Sequence, residues 1–238
     1  MNIYQSRKEE RSRITEFWKY TVPLTVRRHH GVLLFCAALF ITFFITGFYS
    51  SQHDETFVRE MLSDSYVNMT EENIEKGKPF GVYAEGGALL MWLGIMINNL
   101  FVAFGYFAQG LLLCIPLIIS LLTEGVRLGA FEQMFFAKGL GMQSVLTVFI
   151  HGTLEISAIV IAGAAGVVLG KGWMFPGTGK RLDAFMRGAK DGVIILASLI
   201  PVFMIAAFFE GFITRYYTMP WWLSGSILLL SASYITWY

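Results

Sequence analysis

Charge is the scarcest commodity in this chain. Only 15% of its 238 residues are Asp, Glu, Lys or Arg, whereas a soluble domain carries about 25%. The formal net charge is +1, so no global positive field recruits nucleic acid. Cysteine is nearly absent. Cys36 and Cys114 both fall inside apolar stretches, where they read as small hydrophobes rather than a disulfide or a metal pair. No cleavable signal peptide is evident, because a long basic lead precedes the first apolar run and no small-residue cleavage site follows it. Catalytic signatures are missing as well. There is no His-Glu-x-x-His, no Gly-x-Ser-x-Gly elbow and no phosphate-binding loop. Gly177-Thr178-Gly179-Lys180 imitates the last of these but lacks its first Gly and the Ser/Thr after the lysine.

What remains is apolar: 55% of the residues are hydrophobic, gathered into long runs. Residues 31–48 form an uncharged stretch, long enough at about 1.5 Å per residue to cross most of a bilayer core. Further runs predict helices over 88–107, 110–122, 144–169, 192–213 and 221–237. The fold class is therefore all-α, a polytopic transmembrane bundle of about six spans occupying residues 31–238. The turn at Ala108-Gln109 is tight, and the third run is short and carries Pro116. An interrupted or re-entrant pair stays open there, as does continuation of the third helix past Glu124. Pro201 lies inside the fifth run and predicts a kink.

Residues 1–30 form a basic N-terminal segment with Arg7, Lys8, Arg11, Arg13, Lys19, Arg27 and Arg28. Its part 14–26 mixes Phe17, Trp18, Tyr20 and Leu24 with polar residues, which predicts an interfacial amphipathic helix ending near Pro23. The 49–87 loop is acidic, with Asp54, Glu55, Glu60, Asp64, Glu71, Glu72, Glu75 and Glu85 against Arg59, Lys76 and Lys78. Phe57, Met61, Tyr66 and Val67 predict a short amphipathic helix within it. Asn68-Met69-Thr70 matches a glycosylation acceptor of little specificity. The 170–191 loop is basic, with Lys171, Lys180, Arg181, Arg187 and Lys190 against Asp183 and Asp191. Positive loops stay in the cytoplasm. Six alternating spans put both basic segments and both termini inside, with Trp221 and Trp222 at the outer interface and Trp237 and Tyr238 at the inner one. The lipid bilayer is the implied surrounding, and a homo-oligomer is compatible with it.

Ionisable groups inside such spans are costly and mark packed or watery interiors. Glu124, His151, Glu155 and Glu210 are the candidates, with Asn98 and Asn99 as a polar pair. His151 and Glu155 are one helical turn apart and share a face with Ala158, Ala162, Ala165 and Gly166. Small residues at Gly166 and Gly170 predict a close helix seam, so the polar face is the packed one. Counting helical rise from the loops puts Glu124, His151, Glu155 and Glu210 in the outer half of the membrane. Such a set can tie helices together, relay protons or ions, or bind a divalent metal through His151, Glu155 and Glu210. Asn98 and Asn99 read as interhelical glue.

Three segments carry a family resemblance. They are Asn98-Asn99 followed by Phe101, Phe104 and Gly105; His151-Gly152-x-x-Glu155 followed by Ile161-Ala162-Gly163-Ala164-Ala165-Gly166; and Ala206-Ala207-Phe208-Phe209-Glu210-Gly211-Phe212-Ile213-Thr214. Over residues 15–236 the chain resembles the stage II sporulation protein M family of multi-pass prokaryotic membrane proteins. The resemblance implies the cytoplasmic membrane of a prokaryote and a non-enzymatic scaffold or subunit within a cell-envelope complex. It also implies that His151, Glu155 and Glu210 are the family's typical His and Glu positions, and that envelope or membrane proteins are partners. An ion- or proton-coupled transporter or channel is the alternative, and a membrane metallohydrolase the third.

Overall fold

A computed structural model describes residues 13–80, 87–214 and 219–237. The sequence features at Arg7, Lys8, Arg11, Glu85 and Tyr238 lie outside the described residues. The described residues are overwhelmingly helical, with no strand among them. In chain order the helices are α1 (Arg13–Ser51), α2 (Glu55–Leu62), α3 (Asp64–Glu75), α4 (Ala88–Gln109), α5 (Ile115–Ala137), α6 (Gly141–Met174), α7 (Arg181–Thr214) and α8 (Trp221–Trp237).

Four of these, α1, α4, α6 and α7, are long and apolar enough to cross a membrane. The other two predicted spans fall short for visible reasons. Helix α5 holds Glu124, Arg127 and Glu132, and α8 is 17 residues long. The structure therefore establishes a membrane-type helical bundle and does not by itself establish six crossings.

Two boundaries differ from the sequence reading, and a predicted kink is present. The surface helix expected over 14–26 is no separate element, but the first turns of the 39-residue α1. A π-helical turn over Phe17–Thr21 precedes Pro23, which sits in the first turn of the α-helical stretch that follows. A proline near a helix start has little backbone bonding to lose. The third helix starts at Ile115 and runs to Ala137, not 110–122. Residues 110–114 form the turn, with Leu113 and Cys114 both at positive φ, and Pro116 falls in the first turn of α5, where it breaks nothing. Within α7 the helix is interrupted at Leu199, two residues before Pro201, as the proline demands.

Helix α6 is the axis of the bundle and packs against α1, α4, α5, α7 and α8. Of its most apolar window 56% is buried inside the protein, against 11% for α4. Glycines set the spacing. A Cβ on Gly166 would stand 2.7 Å from the Tyr106 carbonyl oxygen of α4, and one on Gly192 2.8 Å from the Ala165 carbonyl oxygen of α6. One on Gly125 would stand 2.8 Å from the Phe40 carbonyl oxygen of α1. The seam expected at Gly166 and Gly170 is thus present, on Tyr106 of α4 and on Gly110 just past its end. Ala158, Ala162 and Ala165 are wholly buried on the same helix.

Contact order along these seams fixes direction. Phe40 meets Gly125 and Phe44 meets Gly129, so α1 and α5 run parallel. Tyr106 meets Gly166 and Gly110 meets Gly170, so α4 and α6 run parallel. Gly172 meets Ala184 while Ala165 meets Gly192, so α6 and α7 run antiparallel.

The acidic segment folds into two helices rather than one. Asp54 caps α2 by accepting from the Thr56 backbone N–H at 2.9 Å, and Ser63 turns the chain at φ 73°. Val58, Val67 and Phe80 pack on Met134, Phe135 and Val148, so α2 and α3 cap the α5–α6 turn. Lys138 Nζ donates to Glu71 at 2.8 Å and Arg59 to the other Glu71 oxygen at 3.3 Å. This half-exposed Arg59–Glu71–Lys138 network ties the cap to the end of α5. Thr70 of the glycosylation match is buried and bonded to the Tyr66 carbonyl.

At the opposite end, Arg28 Nη1 and His29 Nε2 of α1 reach one Asp191 carboxylate oxygen of α7 at 3.0 and 2.9 Å. This pins the start of the two helices together.

Candidate functional site

Two helices build the centre. Helix α6 supplies His151 and Glu155, stacked one turn apart on its buried face. Helix α7 supplies Glu210 and Thr214 from its closing π-helical turn, Phe209–Thr214. Such turns are rare and recur at functional sites. Here the turn presents Glu210 and Thr214 towards α6, while Gly211 lies against Ala88 and Trp92 of α4. Ala206 and Ala207, fully buried one turn earlier, allow the close approach anticipated around Glu210.

One ligand-capable atom from each of His151, Glu155 and Glu210 lies within 4.8 Å of the others. His151 is 5% exposed, and its Nδ1 pairs with Thr214 Oγ1 at 3.0 Å. The two carboxyls are half-buried.

The remaining candidates divide. Asn99 of α4 is buried beside Glu155, and its Nδ2 makes no hydrogen bond among the described residues. Asn98 is exposed and donates to Asn99 Oδ1 at 3.4 Å, so the pair is not a symmetric glue. Glu124 sits in the body of α5, not at its end. It pairs with Arg127 at 3.3 Å and lines, with His151 and Glu155, a groove of about 200 Å³ between α1, α5 and α6. Phe40, Leu128, Phe131 and Ile156 form the apolar walls of that groove. Glu124 thus stands at the groove and outside the three-residue cluster.

The sequence does not single out Thr214 as part of the cluster, nor Glu132 as a buried carboxylate away from it. Thr214 carries the signal that singled out His151 and Glu155, a polar residue four positions from an intramembrane carboxylate. Glu132, assigned there to a loop, is buried in α5 and accepts from Ser144 Oγ at 3.2 Å. Its burial follows from the continuation of α5 past Glu124 to Ala137.

The arrangement offers one imidazole and two carboxylates in a packed interior, with a polar-floored groove leading to them. It can hold a cation, pass a proton between carboxylates, or hydrogen-bond α4, α6 and α7 together. No curated protein matched this chain, and no solved structure matched it. A family model did, stage II sporulation protein M, over residues 36–215. The match covers the groove, the cap and all of the cluster, and the chain belongs to the stage II sporulation protein M family.

Proposed function

We propose that this protein is a non-enzymatic subunit of a cell-envelope assembly, seated in the cytoplasmic membrane of a prokaryote by six crossings, with both termini inside. The cap formed by α2 and α3 is its docking surface. One observation carries this reading. The cap's apolar side is spent on the bundle, Glu71 is paired with Lys138 of the bundle, and Arg59 is paired with Glu71 within the cap. That leaves exposed Asp54, Glu55, Glu60, Asp64, Glu72 and Glu75 against Lys76 and Lys78. A fixed acidic face suits the basic surface of an extracytoplasmic protein, since complementary charge steers association and sets register. The alternating directions of α1, α4, α5, α6 and α7 support the crossings, and the basic 170–191 loop supports their orientation.

The test is photo-crosslinking in native membranes, with the reactive residue at position 60 or 72. The reading expects one reproducible envelope-protein adduct from either position, abolished by E55K/D64K/E75K. Adducts that survive the charge reversal, or no adduct from either position, would refute it.

The cluster favours a second reading, an ion- or proton-coupled transporter or channel. Glu155 and Glu210 come from different helices and meet in the interior. Sealed vesicles holding the purified protein would then show flux that E210Q abolishes, and silent vesicles across pH and cation conditions would dismiss it.

A further inference from the structure

We propose that His151, Glu155 and Glu210 bind one divalent transition-metal ion, with Thr214 and Asn99 as the residues that position it. This goes beyond the docking role and stands independently of whether the cap recruits a partner.

Geometry comes first. A zinc-like ion about 2.0–2.2 Å from each donor needs donors roughly 3.5 Å apart. The three donor atoms already lie within 4.8 Å of one another. Side-chain adjustments on the order of 1 Å therefore close the site. The ligands come from two packed helices, and beside Glu210 the wholly buried Ala206 and Ala207 and the close contact of Gly211 with Ala88 and Trp92 hold the supporting backbone.

Orientation is the second observation. Metal-bound histidines have their other ring nitrogen held by a neighbouring polar group. Thr214 Oγ1 holds His151 Nδ1 at 3.0 Å, which makes Nε2 the ring atom that coordinates.

Asn99 is the third. Its side chain is buried next to the Glu155 carboxyl, which its Nδ2 approaches without full hydrogen-bond geometry. Buried donors are expensive to leave unpaired. A water or hydroxide on the ion's open position is an acceptor that would satisfy it.

Charge agrees with this. Two carboxylates this close repel in a low-dielectric interior, and a dication with a neutral imidazole makes the set electrically neutral. One nitrogen and two carboxylate oxygens suit Zn²⁺, Mn²⁺ or Fe²⁺, not copper(I), which seeks thiolate. Glu124, His151 and Glu155 line one groove, which offers the ion a route to two of its three ligands.

The test uses the full-length protein in lipid nanodiscs, stripped with chelator and titrated with Co²⁺. The expected result is one Co²⁺ per chain, with visible d–d bands that Zn²⁺ abolishes. E210Q keeps the side-chain shape and should weaken binding at least ~100-fold, and T214V should weaken it ~10–100-fold, as loss of an orienting partner does. H151A should remove the bands, with cooperative thermal unfolding as the check that the variants fold. If H151A does not fold, E210Q and T214V decide. Failure of the wild type to take up Co²⁺ stoichiometrically, or uptake unchanged in E210Q, would overturn the proposal.

Discussion

The α4–α6 seam can be tested by adding a single methyl group. Gly166 lies in mid-helix, so alanine suits its backbone and the outcome is decided by space alone. The new Cβ would stand 2.7 Å from the Tyr106 carbonyl oxygen, 2.9 Å from Leu117 Cδ1 and 3.1 Å from the Phe107 carbonyl oxygen. Two of these three atoms belong to the α4 backbone and cannot rotate away. Reaching ordinary contact near 3.4 Å requires α4 to retreat by about 0.7 Å along a face that also seats Gly110 on Gly170. Overpacking of this kind costs about 1–3 kcal/mol. Gly105→Ala is the control, because a Cβ there meets nothing within 4 Å. Both substitutions gain the same intrinsic helix propensity, up to about 1 kcal/mol, which cancels between them. Gly166→Ala should thus be less stable than Gly105→Ala by about 1–3 kcal/mol. For a chain of this size each kcal/mol moves a melting midpoint by roughly 2–4 °C. Melting of detergent-purified protein, followed by intrinsic fluorescence, reads the difference. Equal midpoints for the two variants would refute the close seam and the helix directions inferred from it.

Asp191→Asn removes the charge that Arg28 and His29 share, and should destabilise the bundle by about 1–3 kcal/mol, as loss of charge-assisted bonds does; a melting midpoint unchanged from wild type would count against the α1–α7 pin. The cap should loosen in acid. Hydrogen bonding from Lys138 holds the Glu71 carboxyl below its ordinary value of 4.5. A depressed pKa adds stability that is present above the ordinary value and lost as pH falls through the depressed one. Hydrogen exchange over residues 55–75 should therefore accelerate below about pH 4.5 more than intrinsic rates require, and Glu71→Gln should remove much of that excess. Topology is open to labelling. Cys36 and Cys114 are buried, so a membrane-impermeant maleimide on intact cells should label Glu60→Cys and leave Lys180→Cys untouched until the membrane is opened. Labelling of both, or of Lys180→Cys alone, would contradict the proposed orientation.

The sequence by itself determined the class of this protein. Uncharged runs of about a membrane's thickness admit few soluble solutions, and the i, i+4 spacing of His151 and Glu155 amid Ala158, Ala162 and Gly166 put the polar face in the packed interior. Local pattern also located the family, through segments within α4, α6 and α7. Helix ends are less legible, because charge and proline mark a stop in one tertiary setting and are tolerated in another. Arg127 and Glu132 lie within α5, since the cap and the α5–α6 turn shelter that end of the helix, and Pro116 sits where a helix start tolerates it. The acidic loop hid two packed helices, because its apolar residues are few and need Met134 and Phe135 as partners. The meeting of His151 and Glu155 with Glu210 and Thr214 rests on contacts 55 to 63 residues apart in the chain. No periodicity encodes such a distance. Only the tertiary structure decided it, through glycine and alanine seams that set how close α6 and α7 stand, and through the π-helical turn that brings Glu210 and Thr214 round to face α6.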